Sequence, residues 1–510
     1  MGNKKRLIIN ILATIIAFVV NMGISFFLTP YVVEHIGVES NGFVSLANNF
    51  VSYAQLLTVA LNSMAGRFIT IKMHQNDKEG ASKYFSSVII ANIILSVIMT
   101  VIFSVVIVYL DTLLNISTGL VADVKLLWAL IFANFILGVF TTIYSTSTFI
   151  KDRLDLSSIA TIISYIIRAG ILVAAYMFLK SNVVWYVGLA TFCAGLYLLI
   201  ANAIYKKKLT PDLRFDKKNF DFKAIKELLT SGMWNTITKL SSILANGLDL
   251  LITNLFVNPV AMGILAISKI LPTNILNLFG NVGYVFAPQL TEHYAKNNYE
   301  EMRRQLLNSI KFLALFSSAI MAILFAFGQE FYALWQPTQD SFQLYLLTII
   351  SCLQLVFCLP FEPLYNVFTA TNKIKTSSIA LMITSAATVV TVFISLRFAE
   401  TEMTKLMIIA GTSTLMEIFR VLFFLPIFGA ICIKSKKTTF YPIIIKNTIS
   451  VLIITILGIA VKRIFIPNTW LKLVVVVMIV GVLGLAINLI FLLNKEERSK
   501  FFAKLIKKKI

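Results

Sequence analysis

Seven ionisable side chains lie well inside long apolar runs: Arg168, Lys239, Asp249, Lys269, Glu362, Glu417 and Arg420. A charge at the centre of a bilayer costs ~2.5–3.5 kcal/mol on insertion scales, so each must face protein, a partner or water. The cations suit an anion. The carboxylates Asp249, Glu362 and Glu417 suit a coupling ion, a proton or sodium. Glu362 sits in Pro360-Phe361-Glu362-Pro363, where two prolines interrupt the helical ladder and free carbonyls beside the carboxylate. Glu417 and Arg420 are three residues apart, the spacing of an intrahelical pair.

A polar stripe runs beside these charges and occurs twice. Asn10, Thr14, Asn21 and Ser25 recur 221 residues later as Ser231, Asn235, Ser242 and Asn246. Spacings of 4, 7 and 4 place each set on one face of a helix. In lipid such a face must point into a bundle or a wet cavity. The second copy adds Thr238, Asp249 and Thr253 on the same strip, with Lys239 at its edge. The repeat sets Phe18 opposite Lys239 and Asn48 opposite Lys269, so the charge is lopsided between halves. The substrate-contact candidates are therefore Arg168, Lys239, Lys269, Asn21, Ser25, Asn48, Asn235, Ser242 and Asn246.

The chain that must position these groups is 58% hydrophobic and only 14% charged, with mean hydropathy +0.84. A soluble protein carries nearer a quarter charged residues, so this is an all-α polytopic membrane protein. About fourteen spans can be placed between residues 8 and 494, each near the ~20 residues a bilayer needs. The four cysteines form no C-x-x-C, and no H-E-x-x-H, Walker A or dinucleotide fingerprint is present. With short outer loops and no histidine mid-span, a membrane enzyme such as a polysaccharide polymerase is disfavoured. No cofactor is expected.

The formal net charge is +21, and its cations cluster between hydrophobic segments. This fits orientation and contact with anionic lipid rather than nucleic acid. Alternate loops are cation-rich, from Lys4-Lys5-Arg6 through Lys206-Lys207-Lys208 to Lys434, Lys436 and Lys437. The positive-inside rule then puts both termini in the cytoplasm, with Lys462, Arg463 and Lys472 as local violations. Trp128, Trp185, Trp335 and Trp470 fall at the outer boundary, as an aromatic belt would.

The offset of 221 also pairs Gly42 with Gly263, Thr70 with Thr291, Asn76 with Asn297 and Glu79 with Glu300. Six spans per half is an even number, which makes a parallel pseudo-twofold repeat. The expected organisation is a six-helix lobe over 1–205, a basic linker over 206–227 and a second lobe over 228–430. Two additional spans follow over 431–494, then a basic tail over 495–510 that could lie as an amphipathic helix on the cytoplasmic surface.

This architecture resembles the multidrug/oligosaccharidyl-lipid/polysaccharide exporter superfamily. The opening Asn21–Asn49, NMGISFFLTPYVVEHIGVESNGFVSLANN, resembles its Wzx-type O-antigen and capsule flippases. The resemblance implies that an undecaprenyl-pyrophosphate-linked oligosaccharide moves from the inner to the outer leaflet of a bacterial cytoplasmic membrane. It implies a cationic central cavity that alternates between inward- and outward-open states, and a polysaccharide polymerase as a partner; the lobes are expected to rock around a polar cleft lined by spans 1, 2, 7 and 8. The related lipid II flippase has arginines in its first helix, which are absent here, and a sodium site using acidic residues of spans 7 and 11. Asp249 fits the first of these, and span 11 has no carboxylate. A cation-coupled multidrug antiporter is the rival within the superfamily.

Overall fold

The computed structural model describes residues 3–180, 182–493 and 497–498; the remainder of the tail lies outside the described residues. It is helical throughout and falls into two compact units, 1–266 and 267–510. The first contains α1 (Asn3–His74), α2 (Lys78–Val108), α3 (Leu110–Leu113), α4 (Val121–Ile150), α5 (Leu154–Phe178), α6 (Trp185–Leu209), α7 (Phe222–Ser242), α8 (Asp249–Phe256) and most of α9 (Pro259–Ser268). The second contains α10 (Ile270–Tyr284), α11 (Ala287–Ala295), α12 (Tyr299–Trp335), α13 (Ser341–Cys358), α14 (Glu362–Ala370), α15 (Ile374–Leu396), α16 (Glu402–Phe419), α17 (Leu425–Cys432), α18 (Tyr441–Ile464) and α19 (Trp470–Phe491).

Among the described residues, twelve helical segments are long and apolar enough to cross a membrane. The first covers Leu12–His74, ~95 Å at 1.5 Å per residue, far beyond one hydrocarbon thickness. It breaks at Gly37 (φ 79°, ψ 167°), a backbone conformation open to glycine alone, and so supplies two spans. One further span, α7–α8, is divided by a π-helical turn over Ile243–Gly247. Fourteen crossings result.

Helix ends follow local chemistry, and they carry the repeat. Asn76 and Asn297, equated by the offset, both take the left-handed conformation (φ 59° and 52°). The next residue in each case caps a helix: Asp77 accepts from the Gly80 amide at 2.8 Å, and Asn298 accepts from Glu301 at 3.1 Å. Asp152 and Asn372 form a second matched pair of turns (φ 50° and 55°), here offset by 220 residues. Asparagine and aspartate tolerate this conformation because a short polar side chain bonds locally.

Packing in lipid relies on close backbone approach at small residues rather than on apolar transfer. The repeat-equated Gly42 and Gly263 touch within unit 1: a Cβ on Gly42 would lie 2.9 Å from the Gly263 Cα, and one on Gly263 would overlap the Val38 carbonyl. Lys462 pairs with Glu330 on α12, which accounts for one cation on the side expected to be poor in them. Trp128 and Trp335 depart from the aromatic-belt expectation. Trp128 is fully buried against Phe50 and Phe132, and Trp335 is buried beside Phe331 and Tyr332. Both indoles turn inward.

Candidate functional site

In unit 1 the first polar stripe divides along its length. Asn10 donates to the Asp152 carboxylate at 2.8 Å and accepts from the Asp155 amide at 3.1 Å, while Thr14 lies 3.5 Å from the Ser158 hydroxyl. These two residues bind α1 to α5. Asn21 and Ser25 instead line a small cavity of about 70 Å³ with Thr29, Asn41, Tyr165 and Arg168. Tyr165 and Arg168 also border a second cavity of about 360 Å³, whose other polar walls are Asn134, Thr141, Thr142, Ser164 and Thr191. The Arg168 Nε is sealed from solvent and has no hydrogen-bond partner, and no ion pair engages its guanidinium among the described residues. A buried donor left unmade is costly, and this cost makes Arg168 the candidate that the geometry of unit 1 favours.

The second stripe is carried by α7. Asn235 donates to Ser63 at 3.1 Å, and Gly232 lets the helix close onto the Ala60 carbonyl. Ser231, Ser242 and Asn246 are exposed, and Lys239 is half-buried without a partner among the described residues. At the π-turn an extra residue frees the Gly247 carbonyl. It accepts from Tyr53 at 2.5 Å and from Asn49 at 3.0 Å, both on α1. Asp249, 4% exposed, opens α8 immediately after this turn. Asn48 is exposed and donates to the Val44 carbonyl of its own helix at 2.9 Å.

Unit 2 holds the remaining charges. Lys269 stands at the first turn of α10. Glu362 begins α14 after a tight turn over Leu359–Phe361, so the two prolines divide one span into α13 and α14. Gly280 and Gly283 of α10 leave room for its side chain; a Cβ on Gly280 would lie 3.7 Å from the Glu362 Oε2. Arg420 is buried and forks onto Glu417, with its Nε 2.9 Å from Oε2, and donates from Nη2 to the Tyr365 hydroxyl at 2.8 Å. Its Nη1 is buried and unpaired. Glu362 has no hydrogen-bond partner among the described residues, and the charges acting on it are Arg420 and Glu417. Two carboxylates against one guanidinium leave a surplus negative charge within the spans, which a proton or a monovalent cation would neutralise.

Sequence reasoning missed Tyr53, Tyr165, Tyr365, Asn41 and Asn134. Their roles depend on neighbours in space that lie far off in the chain. Tyr365 alone carried a signal, three residues after Glu362 on the same face.

Comparison with known proteins follows this geometry. A lipid II flippase structure, MurJ in an inward closed conformation, matches with a TM-score of 0.67 at 15% identity over 98% of this chain and 100% of that one. An inward-facing multidrug resistance MATE transporter of the MOP superfamily matches with a TM-score of 0.66 at 16% identity, over 83% of this chain and 99% of that one. These likenesses establish the fold. In sequence, the uncharacterized membrane protein EpsK of Bacillus subtilis (strain 168) is 28% identical over 382 residues, 75% of each chain. The family described as polysaccharide biosynthesis protein matches residues 7–293, more than half the chain, and this multi-pass membrane protein belongs to it.

Proposed function

We propose that the protein is a flippase for undecaprenyl-pyrophosphate-linked oligosaccharide, moving repeat units from the inner to the outer leaflet for surface polysaccharide assembly. The observation that carries this reading is Arg168, an unpaired guanidinium between two polar cavities inside a membrane-spanning bundle. Its planar fork matches a phosphate or carboxylate oxygen pair. Tyr165, Asn21, Ser25 and Asn41 supply neutral donors and acceptors beside it, as a saccharide requires. Lys239 and Lys269 add cationic contacts, with Asn48, Asn235, Ser242 and Asn246 as further polar ones. The host membrane is a bacterial cytoplasmic membrane with both chain termini inside, and transport proceeds by alternating access of the lobes 1–205 and 228–430.

Coupling falls to the carboxylates. Glu362 takes a proton as the lobes alternate, and Glu417 stays locked to Arg420; Asp249 beside the π-turn is the second coupling candidate.

A deletion strain tests the function. Lipid-linked oligosaccharide trapped in the inner leaflet, with surface polymer lost, is the expected result. Unchanged surface glycan with no trapped intermediate, together with new drug susceptibility, would replace the flippase by the multidrug antiporter.

A further inference from the structure

The linker between α6 and α7 was expected as a basic cytoplasmic connection, with its cations near anionic lipid. It is fastened along the side of unit 1. Thr210 meets the Ser147 hydroxyl of α4 at 2.7 Å. The Asp216 amide donates to Ser86 at 3.1 Å, and the Asp221 amide donates to Ser87 at 2.8 Å. Asp212 pairs with Lys78 at 2.9 Å, and Leu213 is fully buried.

Those anchors fix its depth. Ser86 and Ser87 are the ninth and tenth residues of α2, ~12–14 Å from its first residue at 1.5 Å per residue. The 31 residues of α2 span ~46 Å, against a hydrocarbon core of ~30 Å. With that excess of ~16 Å on the cytoplasmic side, Ser86 and Ser87 would stand just outside the hydrocarbon core, at the level of the lipid head groups.

What it presents there is aromatic and cationic. Phe215, Phe220 and Phe222 are 42%, 43% and 70% exposed. Eight lysines or arginines face three aspartates over residues 206–226. The aspartates are already engaged: Asp212 by Lys78, and Asp216 and Asp221 as caps for the Lys218 and Lys223 amides. Arg214, Lys217, Lys218, Lys223 and Lys226 are exposed and have no side-chain partner among the described residues. The apolar surface continues into α7 as Phe222, Leu229 and Met233, all exposed. At helical spacing this strip lies opposite the polar strip of Ser231 and Asn235.

We infer that this linker is an interfacial element that seats on the cytoplasmic leaflet and binds the phosphate head groups of anionic phospholipids. Exposed aromatic rings at head-group depth, ringed by unpaired cations, complement such a leaflet in both polarity and charge. The inference is independent of the transported cargo, because it concerns the membrane surface and not the Arg168 cavities.

The test uses the full chain in nanodiscs of phosphatidylcholine alone or mixed with phosphatidylglycerol. Spin labels at Phe215→Cys and Phe220→Cys report collisions with a water-soluble nickel chelate, and a label at Glu300→Cys serves as the water-exposed reference. The expected result is a several-fold loss of nickel access at 215 and 220 when phosphatidylglycerol is present, with none at 300. Combined Arg214→Gln, Lys217→Gln and Lys218→Gln substitutions should abolish that loss while the protein still elutes as a folded species. Nickel access at 215 and 220 equal to that at 300 in both lipids overturns the inference. So does protection that appears only when undecaprenyl pyrophosphate is added, which would assign the surface to cargo.

Discussion

Two arginines sit inside the spans, and their replacement by methionine should have opposite consequences. Arg420 is tied to Glu417 and Tyr365. Arg420→Met leaves Glu417 without its cation, next to a second uncompensated carboxylate at Glu362. Breaking a buried pair in this way costs about 3–5 kcal/mol. Arg168 has no partner to orphan among the described residues, so Arg168→Met removes only its own burial cost, and stability should hold or rise. Transport should behave the other way for Arg168. A hydrogen bond to a charged group contributes about 1.5–3 kcal/mol, which at 1.4 kcal/mol per decade is ~10- to 150-fold in cargo affinity. Arg168→Lys should fall between, keeping the charge but losing the planar fork. The assay pairs thermal denaturation in nanodiscs with flipping of a fluorescent undecaprenyl-pyrophosphate saccharide in proteoliposomes. The reasoning fails if Arg168→Met lowers the denaturation midpoint as far as Arg420→Met does, or if it transports like the parent. Glu417→Gln combined with Arg420→Met should regain much of the stability that Arg420→Met loses; simple additivity would mean that the pair is not coupled.

Three further outcomes follow from particular contacts. The Lys72 side chain, and after it the Gly80 amide, hold the Asp77 carboxyl below the ordinary carboxylate range. Its contribution is therefore present above the unfolded value of ~3.9 and is lost as pH falls through the lower folded value. Amide exchange across 77–81, corrected for intrinsic rate, should accelerate in that acid window, whereas the matching turn at Asn298 has a cap that does not titrate and should not change; equal behaviour of the two turns would contradict this. Gly263→Val should cost about 1–3 kcal/mol through overlap with the Val38 carbonyl, seen as a lower denaturation midpoint, with Gly263→Ala milder. Asn254, fully buried, exchanges three hydrogen bonds of 2.9–3.0 Å with Asn115; Asn254→Leu should free the loop at 115–117 for proteolysis, and an unchanged cleavage rate would show that other contacts hold it.

Much of the architecture was legible in the order of residues. Hydropathy and length placed the fourteen crossings, since a bilayer imposes ~20 apolar residues on any helix that spans it. The repeat was legible too, and the left-handed turns at Asn76 and Asn297 carry it into backbone geometry. Pro360 and Pro363 marked the break before Glu362, because proline cannot complete the ladder. The Glu417–Arg420 pair followed from spacing alone.

Tertiary structure decided the rest. Spacing put Asn10, Thr14, Asn21 and Ser25 on one face, but not whether that face meets a helix or a cavity; α5 takes the first two, and the Arg168 cavity receives the others. Nor could sequence tell a paired arginine from an unpaired one when the partner is distant in the chain: Tyr365 reaches Arg420 across 55 residues, and no hydrogen bond or ion pair reaches Arg168 among the described residues. The linker's charge was readable, yet its seat beside Ser86 and Ser87 was not. Hydropathy and periodicity are one-dimensional, so they fix which residues must leave water and which face they share. What occupies the space opposite that face depends on chain segments tens to more than a hundred residues away, and only packing brings those together.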